Sequence, residues 1–181
     1  FLLTGGGDGI TAQCGRMLAE KYRCRIIALG RTPMPSGKPY PDITDDEALK
    51  RQIVKDVCNK AGKPLSGEEI ENQKRLILRQ RSIWDTAEKI RSFGASFDYY
   101  AVDVTDYDAL SRVIDQIHRE HGLINGLIHG SGIVGQKREK TADSFREVLY
   151  TKAASAFYLY QLLKNDPLQF AVMFSSISSY T

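Results

Sequence analysis

The chain is poor in cysteine, with three in 181 residues, and holds one tryptophan and six prolines. Cys14, Cys24 and Cys58 are too few and too scattered for a disulfide framework or a zinc site, so no metal is expected. Thiols of this kind fit a reducing compartment, and cytoplasm is the expected location. No apolar run approaches the roughly 20 residues that span a bilayer, and no signal peptide is visible. Charge of neither sign accumulates: 25 Lys and Arg stand against 22 Asp and Glu, a net +3. The two signs are interleaved, which argues against a nucleic-acid-binding stripe. Internal repeats and low-complexity tracts are also missing. What remains, 42% hydrophobic and 26% charged, is the composition of a soluble globular protein. The length suits one domain with a sizeable core rather than two.

Five short apolar runs read as strands, at 1–4, 25–29, 97–103, 125–129 and 170–175. Their aliphatic and β-branched content suits strands buried on both faces. Helical periods separate them, which predicts βαβ units and a parallel sheet. After the first run, Cys14, Met17, Leu18 and Tyr22 fall on a helical period. The segment 107–121 puts Leu110, Val113, Ile114 and Ile117 on one face, with Gly122 as C-cap. A helix from about 142 to 164 offers Phe145, Val148, Leu149, Ala153, Phe157, Leu159 and Leu162 to the core. The chain begins inside a strand and stops just after another, so it reads as a piece of a longer polypeptide, its sheet incomplete at both ends.

Residues 33–92 exceed what a compact strand-to-strand connection needs. Pro33, Pro35, Pro39 and Pro41 make an extended lead. Two capping boxes follow, Thr44-x-x-Glu47 and Ser66-x-x-Glu69. They predict one helix from Asp45 to about Lys60 and another from Gly67 to Phe93-Gly94. The mixed charges favour a solvated helical elaboration over a specific binding surface.

The chemistry concentrates at the strand ends. Thr4-Gly5-Gly6-Gly7-Asp8-Gly9-Ile10-Thr11 joins a strand to a helix. Its glycines permit a tight turn and close approach to a pyrophosphate, and the helix start offers free N–H groups. The spacing fits TGxxxGxG, with Thr11 in place of the last glycine. At the end of the second strand, where an acid would hold the ribose 2′-OH of NAD, stand Arg31 and Thr32. A guanidinium there can pair with a 2′-phosphate and the Thr32 hydroxyl can add a donor, favouring NADP(H). Asp103, closing the third strand, can accept from an adenine amino group while the Val104 amide meets a ring nitrogen. Thr105 or Asp106 can cap the following helix. Gly130, Ser131 and Gly132 after the fourth strand let backbone approach the ribose and nicotinamide end. His129 is better read as packed against backbone than as a general base.

Taken in order, TGGGDGIT, ALGRT, DVTD, LIHGSGIV, Tyr150-Thr151-Lys152 and MFSSISS resemble the short-chain dehydrogenase/reductases. More narrowly they resemble the ketoreductase domains of polyketide synthases. The long insertion is similar to that of ketoreductases from polyunsaturated fatty acid synthases and related iterative megasynthases. The resemblance implies a Rossmann-like doubly wound α/β sheet, one partial NADP-binding domain over 1–181 with 33–92 inserted in it, and NADPH as cofactor. It implies reduction of a β-ketoacyl thioester on an acyl carrier protein, beside other domains of one megasynthase, with no nucleic acid or membrane partner. It further implies that Lys152 supports the proton relay by helping to lower a phenol pKa, and that Ser176 hydrogen-bonds the substrate carbonyl. The family's tyrosine falls about 13 residues beyond that serine, past Thr181, with an asparagine a turn later; Tyr180 lies too near to take the role. These residues alone are therefore expected to be inactive, with an uncovered apolar face. Ile133-Val134-Gly135-Gln136 lacks the LDD motif carried by members of one stereochemical type. Thr11 speaks for a rival, a non-catalytic NADPH-binding module; a free-standing reductase or a sugar-nucleotide epimerase is a further alternative.

Overall fold

The computed structural model describes residues 1–61, 66–132 and 141–175. Five strands, β1 (Leu2–Thr4), β2 (Arg25–Gly30), β3 (Ser96–Ala101), β4 (Gly126–His129) and β5 (Phe170–Met173), form one parallel sheet in the order β3-β2-β1-β4-β5. The register pairs Leu3 with Ala28 and with Ile128. Successive side chains of a strand point to opposite faces; β1, β2 and β4 are covered on both, whereas β5 is exposed from Ala171 to Met173, the uncovered apolar face expected from the sequence. Leu2, Ile27, Leu29 and Leu127 pack on one face against Leu110, Ile114 and Ile117 of α4 (Tyr107–His121) and Leu159 and Leu163 of α6 (Ser155–Leu163). On the other, Leu3, Ile26, Ala28 and Ile128 pack against Ala19 of α1 (Gly9–Tyr22) and Ile83, Ala87 and Ile90 of α3 (Gly67–Ser92). This is the Rossmann-like, doubly wound arrangement, and the order reverses between β1 and β4, where such sheets open a crevice.

The insertion is a helix pair. α2 (Asp46–Ala61) and α3 enclose a small core of Leu49, Ile53 and Ile77, with Tyr40 and Ile43 against it. Arg81 ties the lead to α3, donating through Nε to the Pro39 carbonyl at 2.9 Å and through Nη1 to the Ile43 carbonyl at 2.8 Å. The Ser66–Glu69 box forms in both directions, at 2.7 and 3.2 Å. The Thr44 box does not form: the Asp45 carboxylate accepts from the Ala48 amide at 2.6 Å instead. Asp45 therefore caps α2, one residue later than its predicted start.

Other boundaries also shift. β3 ends at Ala101 and β5 at Met173, so Asp103 lies in a turn beyond its strand. α1 meets only half of its expected apolar face: Cys14 and Leu18 pack partly buried against the core, Met17 and Tyr22 are 61% and 58% exposed, and the fully buried positions are Thr11, Ala12, Gly15 and Ala19. A Cβ on Gly15 would lie 2.8 Å from Leu3 Cδ2, so the close helix–sheet approach selects small residues. The single helix expected over 142–164 is three pieces: α5 (Ala142–Leu149), a wide π turn (Tyr150–Ala154) and α6. α5 buries none of its residues, leaving Phe145, Val148 and Leu149 exposed, and Phe157 on α6 is exposed too. No helix among the described residues is long and apolar enough to cross a membrane.

Candidate cofactor and active site

β1 ends in Thr4, and the chain turns sharply at Gly5. The Gly5 amide donates to the Leu29 carbonyl at 2.8 Å, and its φ of +73° is one that glycine adopts without strain. A Cβ there would press on Gly130 and Ser131 backbone at 3.2 Å. Asp8 caps α1, its carboxylate accepting from the Gly9 amide at 2.7 Å. Asp8, Gly9 and Ile10 are exposed at that helix start, where free amides and the dipole favour an anion. Thr11 is buried, and its hydroxyl lies where a Cβ on Gly130 would stand. Gly7 faces Ile83 of α3, not the crevice.

The crevice between the turns after β1 and β4 has a volume of about 220 Å³. Gly5, Gly130, Ser131 and Gly132 line one part of it, and Gly30, Arg31, Val102, Asp103 and Val104 line another. Thr151, which was not anticipated, also lines it; its signal was adjacency to Lys152. The sequence reading is thus brought together at Gly5, Arg31, Asp103, Val104, Gly130, Ser131 and Gly132. Thr4, Gly7, Asp8, Gly9, Ile10 and Thr32 border the crevice's elements without lining it. Arg31 is exposed, and its guanidinium has no hydrogen-bond or ion-pair partner among the described residues. Asp103 uses Oδ1 to accept from the Thr105 amide at 2.9 Å and hydroxyl at 2.8 Å. Asp106 caps α4 through the Ala109 amide at 2.9 Å. An unpartnered cation, a turn closed to side chains and a half-buried carboxylate fit a nicotinamide dinucleotide.

At the other end, His129 ties three elements together. It is 4% exposed. Its Nε2 lies 3.2 Å from the Lys152 carbonyl and 3.1 Å from Ser155 Oγ, and its Nδ1 lies 2.6 Å from Thr4 Oγ1. A carbonyl only accepts, so Nε2 carries the proton and the Thr4 hydroxyl donates to Nδ1. Thr4 Oγ1 in turn accepts from the Ser131 amide at 3.3 Å. Burial, with the nearby Lys152 charge adding to it, holds the imidazole below its ordinary pKa despite the hydrogen bond to Lys152 O. His129 is a neutral strut, as read from the sequence. Within the π turn the Lys152 carbonyl accepts from the Ser155 amide as well as from His129, and Lys152 Nζ donates to the Phe174 carbonyl, just past β5, at 2.8 Å. Lys152 Cε stands 3.0 Å from where a Gly132 Cβ would be, so this end adjoins the crevice. Ser176 and residues 133–136 lie outside the described residues.

Comparison with known proteins places this arrangement. The KR domain family model matches residues 1–181. A polyketide synthase of Bacillus subtilis, PksL, is 25% identical over 99% of this chain, and a 6-methylsalicylic acid synthase of Arthrobotrys oligospora is 24% identical over 97%. The chain spans 3% and 8% of those proteins. Among solved structures, a ketoreductase from the first module of phoslactomycin biosynthesis in Streptomyces sp. HK803 superimposes with a TM-score of 0.67 at 27% identity, covering 99% of this chain and 32% of that one. An N-terminal ketoreductase from the macrolactin assembly line superimposes at 0.70 with 22% identity, covering 98% and 28%, and NAD-bound xylitol dehydrogenase shares the fold at 0.56 and 20%, covering 91% and 46%. With its whole length matched by the family model and its fold shared, the chain belongs to the KR domain family, the ketoreductases of the short-chain dehydrogenase/reductase fold.

Proposed function

We propose that the intact protein carrying these residues reduces a β-ketoacyl thioester, tethered to an acyl carrier protein, to the β-hydroxyacyl thioester with NADPH. It does so as one domain among others of a cytoplasmic polyketide or fatty acid synthase. The observation that carries the reading is one crevice lined by the unpartnered Arg31, the glycine turn and Gly132, with Lys152 adjoining it beside Gly132. Neighbours of this fold are solved with NAD bound, which supports a nicotinamide cofactor; Arg31 and Thr32, in place of an acid, support the 2′-phosphorylated form.

When bound, the reduced nicotinamide supplies hydride to the ketone carbon. Arg31 and Thr32 hold the 2′-phosphate, and the turn from Thr4 to Ile10 receives the pyrophosphate with backbone amides. Asp103 Oδ2 and the Val104 amide take the adenine. Gly130, Ser131 and Gly132 let the ribose and nicotinamide lie against backbone. Lys152, oriented through Nζ by the Phe174 carbonyl, would help lower the pKa of the tyrosine phenol and support the proton relay. Ser176 donates its hydroxyl proton in a hydrogen bond to the carbonyl oxygen as charge develops there. The proton itself comes from a tyrosine expected about 13 residues beyond Ser176, so residues 1–181 alone are inactive in this account.

Coenzyme consumption by the intact protein, given a short β-ketoacyl thioester and NADPH, tests the reading. Turnover that falls about 100-fold or more in Lys152→Ala, with NADPH affinity retained, supports it. NADPH binding without turnover favours instead a non-catalytic module, the reading that Thr11 would suggest.

A further inference from the structure

We propose that Tyr99 is a specificity-determining positioning residue, which sets the Arg31–Thr32 turn at the distance from the glycine loop that a ribose 2′-phosphate requires. The inference rests on the NADPH reading above and extends it to a residue outside the crevice. Arg31 has no side-chain partner among the described residues to aim it, so its place is set by its backbone. That backbone is tied by Tyr99, whose hydroxyl donates to the Thr32 carbonyl at 2.8 Å.

Tyr99 also meets the opposite wall. Its ring fills the space beside Gly7 and Gly30: a Cβ on Gly7 would lie 3.3 Å from Tyr99 Cε2, and one on Gly30 only 2.5 Å from the hydroxyl. Both glycines thus leave room for one ring, which spaces the loop after β1 from the turn after β2. The helical insertion braces the same two walls. From α3, Gln80 Nε2 and Trp84 Nε1 donate to the carbonyls of Pro33 and Pro35 at 3.0 and 3.2 Å, and Thr86 Oγ1 donates to that of Gly7 at 3.3 Å. Among these donors, only Tyr99 touches both walls next to Arg31. Burial pushes its phenol up to about 12, so the hydroxyl remains a donor across the working pH range.

The test measures dissociation constants of NADPH and NADH for the intact protein and for Tyr99→Phe, Arg31→Ala and the double variant, by coenzyme fluorescence. Tyr99→Phe keeps the ring and removes only the tether. It should reduce the preference for NADPH about threefold to tenfold while leaving NADH affinity within about twofold, and add little once Arg31 is already alanine. Gly30→Ala, which displaces the hydroxyl while leaving position 99 a tyrosine, should reduce the preference in the same direction. If Arg31→Ala abolishes the preference while Tyr99→Phe retains it in full, the role of Tyr99 is refuted and the cofactor reading stands. If Tyr99→Phe weakens NADPH and NADH equally, the residue is merely structural and the proposal is refuted. A wild-type protein with no preference for NADPH overturns the cofactor reading, and this inference with it.

Discussion

Thr11 and Gly130 are matched across the crevice floor: the threonine hydroxyl occupies the place that any side chain on Gly130 would take. The glycine missing at the start of α1 is thus supplied after β4, and the turn keeps its backbone path. Gly130→Ala alone should destabilise the protein by about 1–3 kcal/mol, an overpacking cost, and weaken coenzyme binding. Thr11→Gly combined with Gly130→Ala should recover part of both losses. Thermal unfolding and coenzyme titration of Gly130→Ala, Thr11→Gly and the double variant check it; strictly additive effects would show that the two residues are independent.

His129 couples the glycine turn to the π turn, and its state sets a pH dependence. The folded imidazole is held below its ordinary value of 6.5, chiefly by burial. Below that value the unfolded chain takes up a proton that folded His129 resists, so stability falls as pH drops through this window and the residue adds no slope above it. The groups facing it are Thr4, the Lys152 carbonyl and ammonium, and Ser155. None of them is a carboxylate that could stabilise the imidazolium. Unfolding midpoints between about pH 5 and pH 7.5 should show a shallower fall for His129→Asn than for the wild type. That variant should also be less stable near neutral pH by about 1–3 kcal/mol, the cost of unpaired buried groups.

Asp45 and Thr44 compete for the start of α2, and the structure assigns the cap to Asp45. Asp45→Ala should cost about 1 kcal/mol in the insertion, whereas Thr44→Ala should cost little. Hydrogen exchange of the α2 amides distinguishes the two; equal protection in both variants, or greater loss with Thr44→Ala, would contradict the assignment.

The sheet was legible because its central strands β1, β2 and β4 are aliphatic on both faces, and the crevice because Gly5, Arg31 and Gly130 all stand at strand ends. The helix faces were less so. Large apolar residues such as Met17 and Phe145 drew attention, yet close packing selected Gly15 and Ala19, and α5 buries nothing. The π turn at Lys152 carries no residue pattern of its own; its carbonyl is engaged by His129, distant in the chain. Thr11 read as a defect because its compensation at Gly130 is likewise remote. Tyr99 read only as a strand residue, since its part depends on two glycines from other segments. Asp103 was placed on a strand because its neighbours are apolar, though the ladder ends at Ala101.

The most direct test of the whole account compares kcat/KM for NADPH and NADH in the intact protein and in Arg31→Ala, with one β-ketoacyl thioester. The account predicts that the wild type favours NADPH by about 100-fold, and that the variant falls to near parity mainly through loss with NADPH. A wild type indifferent to the 2′-phosphate, or a preference that survives the loss of Arg31, would contradict it.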